Sequence, residues 1–287
     1  MSKPIDHGDS IPGPTPLPFA SGALIGMVHL LPLPATPRWP SADDASGAIR
    51  SLVDAAVADA TALATAGYDA ILVENMNDLP YLRRHVGPEI VAAMTAATLR
   101  VVESVTIPVG VQVLAGANSA ALSVALAAGA SFIRAEGFVF AAVADEGLLD
   151  EADAGPLLRF RRSIGAAHIP ILADIRKKHT SHAITGDLSI GAWSDAAAFA
   201  GADAVVVTGA VTGAETEIVD LAAARRGGSL PVGIGSGLTP ANAPALLREA
   251  DFAIVGSWNK HDGDWRRPVD VERARAIVRA TNADTTR

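Results

Sequence analysis

Cysteine is absent from the 287 residues, which excludes disulfides, thiolate nucleophiles and cysteine-based zinc or iron–sulfur sites. The absence agrees with a reducing cytoplasm, the expected location. Basic residues are in the minority: 23 Lys and Arg against 31 Asp and Glu give a formal charge of −8. A broad nucleic-acid footprint needs a basic surface, so no nucleic-acid partner is expected. Small anionic ligands stay open, because local backbone dipoles bind them. Long apolar runs are missing too. The run from Ala120 to Ile133 is broken by Ser123, Gly129 and Ser131 and is too short to span a membrane. No basic stretch followed by an apolar one opens the chain, so no secretory signal is expected. No H-E-x-x-H or comparable metal spacing occurs.

What is there is apolar: hydrophobic residues make up 49% and charged residues 19%, enough for a large core. Pro4, Pro12, Pro14, Pro16 and Pro18 mark residues 1–20 as an extended, flexible arm, and residues 283–287 as a short tail that frays. Between them, over residues 21–282, two phrases alternate. Ala66-Gly67, Ala128-Gly129 and Ala200-Gly201 each close a helical pattern just before a short apolar strand. Ile107-Pro108-Val109, Ile169-Pro170-Ile171 and Leu230-Pro231-Val232 each open one, since proline suits the first residue of a strand. The spacing from Pro108 to Pro170 is 62 residues and from Pro170 to Pro231 is 61, about two strand–helix units.

Eight strands are predicted near 23–29, 69–74, 109–114, 132–136, 171–176, 204–208, 232–236 and 252–256. Helical spacing joins Ile49, Leu52, Val53, Ala56, Ala60, Leu63 and Ala64 between the first two strands. Val91, Met94, Thr98, Val101, Val102 and Val105 do so between the second and third. Thr239-Pro240 reads as a helix N-cap with proline at the first helical position. Eight uninterrupted units favour a single (β/α)₈ barrel over a doubly wound open sheet.

In such barrels the chemistry sits where strands end. His29, Glu74-Asn75, Arg134 with Glu136, Asp174 with Lys178-His179, Thr208, Gly235-Ser236-Gly237 and Gly256-Ser257 with Lys260 all stand there. The sharpest pattern is the pair of glycine–serine ends on the last two strands. Glycines let backbone N–H groups approach an anion, so Gly235, Ser236, Gly237, Gly256 and Ser257 are the expected phosphate site; tight turns alone are the competing reading. The charged residues either neutralise one another or work as a set. As a set, Lys178 supplies a cation or amine, Asp174, Glu74 and Glu136 accept protons, and His29 serves as acid, base or ligand. Asn75, Arg134, His179, Thr208 and Lys260 are expected around them at the mouth. No cofactor is expected; Glu74, Glu136 and Asp174 leave a carboxylate-bound divalent ion as an alternative.

Several motifs in this order resemble the BtpA family over about residues 22–280. They are Ile25-Gly26-Met27-Val28-His29-Leu30-Leu31-Pro32-Leu33-Pro34, Leu72-Val73-Glu74-Asn75, Val86-Gly87-Pro88-Glu89 and Pro108-Val109-Gly110-Val111. Leu172-Ala173-Asp174 with Lys178-His179, Val207-Thr208-Gly209 with Thr212-Gly213, and Gly235-Ser236-Gly237 continue them. The resemblance implies a barrel of the ribulose-phosphate-binding type. Departures cluster at the mouth: Arg134-Ala135-Glu136 where relatives tend to read Arg-Val-Asn, Leu114-Ala115-Gly116-Ala117-Asn118 for Leu-Arg-Asn-Asp, and Ser257-Trp258-Asn259-Lys260 for Ser-Leu-Lys. They bear on substrate more than on fold. The expected function is an isomerase, epimerase or aldolase-type lyase acting on a phosphorylated sugar or related phosphorylated metabolite, in a homo-oligomer. The alternative is a non-catalytic biogenesis or regulatory factor built on the same barrel, in line with the family's name.

Overall fold

The glycines that close the helical patterns adopt the left-handed backbone that the role requires, with φ of 99° at Gly67, 73° at Gly129 and 90° at Gly201. The computed structural model describes residues 13–40, 45–176, 179–209 and 216–282. In chain order these form β1 (Ala23–His29), α1 (Ala45–Ala66), β2 (Ala70–Glu74), α2 (Pro88–Ser104), β3 (Val109–Gln112), α3 (Asn118–Ala128) and β4 (Phe132–Ala135). Then follow β5 (Ala142–Ala144), β6 (Gly147–Leu149), α4 (Ala154–Ser163), β7 (Ile171–Ile175), β8 (Thr180–Ser181), α5 (Ile190–Phe199) and β9 (Ala204–Val207). The chain ends with α6 (Ile218–Gly227), β10 (Val232–Ile234), α7 (Ala243–Leu246), β11 (Phe252–Val255) and α8 (Val271–Asn282).

Eight parallel strands close a barrel in the order β1-β11-β10-β9-β7-β4-β3-β2, so the expected closed architecture holds and the open sheet does not. Repeated aspartates help to set its register. Asp69, Asp203 and Asp251, each just before a strand, accept a 2.8 Å hydrogen bond from a backbone N–H in the first two residues of the neighbouring strand, at Leu24, Ile171 and Val232 respectively.

Side chains alternate inward and outward along each strand. The outward set packs against the helices. The inward set makes a separate plug of Ile25, Met27, Leu72, Phe132, Leu172, Val206, Phe252 and Ile254 with small alanines. Two inward positions are glycine for a steric reason. A Cβ on Gly110 would sit 2.3 Å from the Phe132 ring, and one on Gly233 would sit 2.1 Å from the Phe252 ring. Each half of the barrel thus gives up one side chain to admit the next strand's phenylalanine. Phe19 meets both rings edge-on at 5.5 Å and closes the amino-terminal end.

That contact corrects the expected flexible arm over part of its length. Leu17 and Phe19 pack on the plug, and the Thr15 N–H donates to Asp203. Residues 1–12 and 283–287 lie outside the described residues. On α2 the buried face also differs from the expected one. It is built from Ile90, Ala93, Met94, Ala97, Thr98 and Val101, while Val91, Val102 and Val105 are half-buried. The reason is that α2 packs between α1 and α3, where small alanines allow close approach. The expected helix at Thr239-Pro240 is not formed. Asn242 accepts from the Thr239 N–H and donates to the Gly237 carbonyl, closing a turn, and α7 is only four residues long. β5, β6 and β8 were not expected; they make a small antiparallel sheet beside the barrel. Among the described residues no helix is long and apolar enough to cross a membrane.

Gly233→Ala is expected to destabilise the chain by about 1–3 kcal/mol, the usual range for overpacking. The urea midpoint should fall, and Phe252→Leu in the same chain should recover part of the loss. A Gly233→Ala midpoint equal to that of the parent would show that the phenylalanine ring is free to move.

Candidate active site

One inward step above the apolar plug, the same alternation turns polar. His29 follows Met27, Glu74 follows Leu72, Gln112 follows Gly110, Arg134 follows Phe132 and Asp174 follows Leu172. On β10 and β11 the corresponding positions are Gly235 and Gly256. The carboxyl end of the barrel is therefore a ring of polar groups with a gap on one side. Above it lies a cavity of about 510 Å³.

Arg134 is the centre of this ring. Its Nε and Nη2 donate to the two Asp174 carboxylate oxygens at 2.8 and 3.1 Å, with both side chains almost fully buried. Burial alone would make the guanidinium easier to deprotonate, but Asp174, then Glu74 and Glu136, outweigh it and hold it charged. The guanidinium crosses the bore from β4 towards β10. A Cβ on Gly235 would lie 3.1 Å from Arg134 Nη2 and 2.5 Å from Thr208 Cγ2. The absence of a side chain at Gly235 thus lets a cation reach the foot of the glycine-rich end.

Gly235, Ser236, Gly237, Gly256 and Ser257 all border the cavity. Gly237 has φ 78°, a conformation that favours glycine. The Ser236 hydroxyl is turned away from a purely ligand-facing role, since it accepts a 3.1 Å bond from the Gly209 N–H. On the opposite side Glu74, Gln112 and Glu136 line the wall. Among the described residues the buried Gln112 Oε1 has no hydrogen-bond partner. His29 Nδ1 lies 2.8 Å from the Trp265 carbonyl oxygen and so donates to it. Its Nε2 faces the Glu74 carboxylate at 3.7 Å.

The cavity roof comes from loops. After β2, Met76, Leu79 and Tyr81 border it; after β11, Trp258 and Trp265 do, with Arg273 stacked at 4.2 Å on the Trp258 ring. Burial and the surrounding carboxylates Glu74, Glu136, Glu146 and Asp78 push the Tyr81 phenol up, so it stays neutral, and it donates to the Met76 carbonyl at 2.8 Å. Asp145 and Glu146, at the turn between β5 and β6, reach the same space. Arg83 and Arg84 tie this hairpin down through the carbonyls of Leu148, Gly137 and Glu151.

Ten of the fifteen expected site and mouth residues border the cavity: His29, Glu74, Arg134, Glu136, His179 and the five glycine–serine residues. Four do not. Asp174 is taken up by Arg134. Asn75 is a fully buried clamp that bonds the backbone N–H and carbonyl of Leu114 and the side chain of Asp78. Thr208 packs beside Gly235 rather than facing the cavity. Lys260 points outward, away from the mouth, to Asp59 of α1 at 2.7 Å, and is fully buried. Desolvation lowers its affinity for the proton, and Asp59 opposes that shift. Lys178 lies outside the described residues, as do Thr212 and Gly213. Among the described residues no group of three His, Asp or Glu side chains is placed to hold a metal ion.

The missed loop residues carried a signal: two of the chain's four tryptophans fall within ten residues after β11.

The BtpA family model matches residues 20–283. A Synechocystis protein named photosystem I biogenesis protein BtpA is 36% identical over 258 residues, 90% of this chain and 87% of the relative. A Caenorhabditis elegans protein whose name places it in mitochondria is 39% identical over 264 residues, 90% of this chain and 92% of the relative. That name sets a relative outside the cytoplasm expected here. Among solved structures, (S)-3-O-geranylgeranylglyceryl phosphate synthase from Thermoplasma acidophilum, in complex with sn-glycerol-1-phosphate, aligns with a TM-score of 0.56 at 17% identity. It covers 92% of this chain and 94% of that one. A 3-hexulose-6-phosphate synthase aligns with a TM-score of 0.54 at 16% identity, covering 90% of this chain and 99% of that one. Identities this low show a shared fold.

Asp59→Ala would leave the Lys260 ammonium buried without its partner, at a cost of about 3–5 kcal/mol. Asp59→Leu with Lys260→Met in one chain should recover part of it, since the buried Val269 N–H still lacks the Asp59 acceptor. Chemical denaturation checks both, and a joint variant no more stable than Asp59→Ala would count against a structural role for this pair.

Proposed function

The chain belongs to the BtpA family, and we propose that it is an enzyme acting on a phosphorylated small metabolite by proton transfer next to a carbonyl. The observation that carries this reading is one cavity with two chemically different sides. On one side are glycine backbones with the Arg134 guanidinium beneath them. On the other are a histidine and carboxylates. Relatives in fold whose names or ligands are phosphorylated compounds support the same direction.

In this reading the phosphate rests on the backbone of Gly235–Gly237 and Gly256–Ser257. Arg134 adds positive charge that Asp174 keeps in place. The phosphate anchors the molecule so that the carbons beyond it lie between His29 and Glu74. His29 Nδ1–H donates to the Trp265 carbonyl, which leaves Nε2 as the basic nitrogen on the reacting side. His29 with Glu74 then removes a proton from the carbon beside the carbonyl, and the electron pair moves to the carbonyl oxygen. The side-chain N–H groups of Gln112, which lines the same wall as Glu74, can donate to such an oxygen. Returning the proton to the neighbouring carbon gives isomerisation, and returning it to the other face gives epimerisation. For an aldol cleavage the same base takes its proton from the hydroxyl two carbons from the carbonyl instead. That O–H pair becomes the new C=O, the carbon–carbon bond breaks into an enolate, and the proton is returned to the enolate carbon. Lys178, which follows β7 in sequence, belongs to this reading as a further cation or amine. So do a homo-oligomer and a cytoplasmic location.

The reading is tested by thermal unfolding in the presence of inorganic phosphate and a panel of sugar phosphates, repeated on Ser257→Asp. A ligand at about a hundred times its Kd adds roughly 2.7 kcal/mol. At least one phosphate ester should raise Tm in the parent and lose that effect when an aspartate repels it. If no phosphate compound shifts Tm, the biogenesis or regulatory role suggested by the Synechocystis relative's name becomes the better reading.

A further inference from the structure

The cavity contains more than the proposed chemistry uses. A small sugar phosphate would occupy the floor, between the glycine-rich end and the His29–Glu74 side. The volume of about 510 Å³ falls in the range that encloses drug-sized ligands. The remaining space is bounded by rings and thioethers. Trp258, Trp265, Tyr81, Met27, Met76 and Leu79 face it.

This concentration stands out against the composition. The chain has four tryptophans, two tyrosines and four methionines. Two of the tryptophans, one of the tyrosines and two of the methionines border this one cavity. Methionine sulfur and aromatic faces favour contact with a flat, polarisable partner. The side chains are also held in place. Tyr81 is fixed by its bond to the Met76 carbonyl. Trp258 is fixed by its Nε1 bond to the Arg273 carbonyl at 3.2 Å and by the stacked guanidinium. The Trp265 backbone carbonyl accepts from His29 Nδ1, and the Trp265 ring stands edge-on to the imidazole with 6.4 Å between centroids. The order of strands around the barrel places the β2 loop, with Met76, Leu79 and Tyr81, and the β11 loop, with the tryptophans, on either side of β1.

We propose that the substrate is a phosphate ester that carries a planar aromatic or heteroaromatic ring, joined to the phosphate by a short hydroxylated segment. This rests on the phosphate-binding reading above and names the rest of the molecule. The phosphate lies at Gly235–Gly237 and Gly256–Ser257. The hydroxylated segment faces the acceptors Glu74 and Gln112, and the buried Gln112 Oε1 takes a hydrogen bond from it. The ring lies between the β11-loop tryptophans and the β2-loop wall of Met76 and Leu79.

The test is a comparison of dissociation constants for inorganic phosphate, ribose 5-phosphate, adenosine and adenosine 5′-monophosphate, read by quenching of tryptophan fluorescence and by calorimetry. The adenine-bearing ester is expected to bind about tenfold or more tightly than ribose 5-phosphate. Trp265→Ala should reduce that ratio towards one, and Trp265→Phe should restore most of it, because a ring remains. Met76→Ala should reduce the ratio from the opposite wall. Equal dissociation constants for the two esters in the parent would overturn this inference and leave the phosphate reading intact. So would a ratio unchanged in both Trp265→Ala and Met76→Ala. Binding by adenosine but by none of the phosphates would overturn the phosphate reading, and the ester proposed here with it.

Discussion

The Arg134–Asp174 pair is the constraint on which the rest of the site depends. A guanidinium in a barrel bore loses its water and is tolerated only if its donors are taken up in good geometry. Asp174 does this from the neighbouring strand with both oxygens. The consequence spreads outward. The cation needs room to extend across the bore, and Gly235 gives it. It needs negative charge nearby, and Glu74 and Glu136 contribute. The polar ring above the apolar plug is thus a linked arrangement rather than separate residues that happen to share a rim.

The same alternation that builds the plug builds the ring. Each inward position at the strand ends is two residues beyond an apolar one, so a single register error would exchange the two layers with the outer face. Register is guarded at the other end. Asp69, Asp203 and Asp251 accept from an N–H at the start of the adjacent strand, and the Phe132 and Phe252 rings fill the places of Gly110 and Gly233. The functional end inherits its accuracy from contacts at the far end of the barrel.

These facts explain what the sequence disclosed and what it did not. The eight strands were legible because fully buried strands read as short apolar runs, and the glycine endings were legible because only a left-handed residue fits there. Strand-end positions such as Glu74 and Arg134 followed from counting. Asn75 and Lys260 sit at positions of the same kind, yet one clamps Leu114 and the other turns outward to Asp59. Which face a residue beyond the last ladder pair takes depends on the loop's path, and no periodicity records that path. The α7 region misled for a related reason: Asn242 captures the Thr239 N–H that a helix start would leave for Thr239's own turn. The β5–β6 hairpin is too short for its alternation to be distinguished from a loop.

The two halves of the cavity differ in what holds them, and this bears on how such a barrel divides its work. Glu74, Arg134 and Asp174 stand on strands and are locked by the barrel itself. Apart from Met27 on β1, the aromatic and methionine groups stand on loops and are held by local bonds such as Tyr81 to Met76. A scaffold protein would be at least as stable with an apolar pair in place of Arg134 and Asp174, since exchanging a buried ion pair for packed side chains is often neutral or favourable. Retaining a cation at the foot of a glycine-rich end, beneath an open cavity, has a physical rationale when an anion is to be met there. The loops can then vary in what they accept above it, because changing a loop ring leaves the ion pair and the register below untouched. The upper half is therefore where a change of substrate would disturb the fold least.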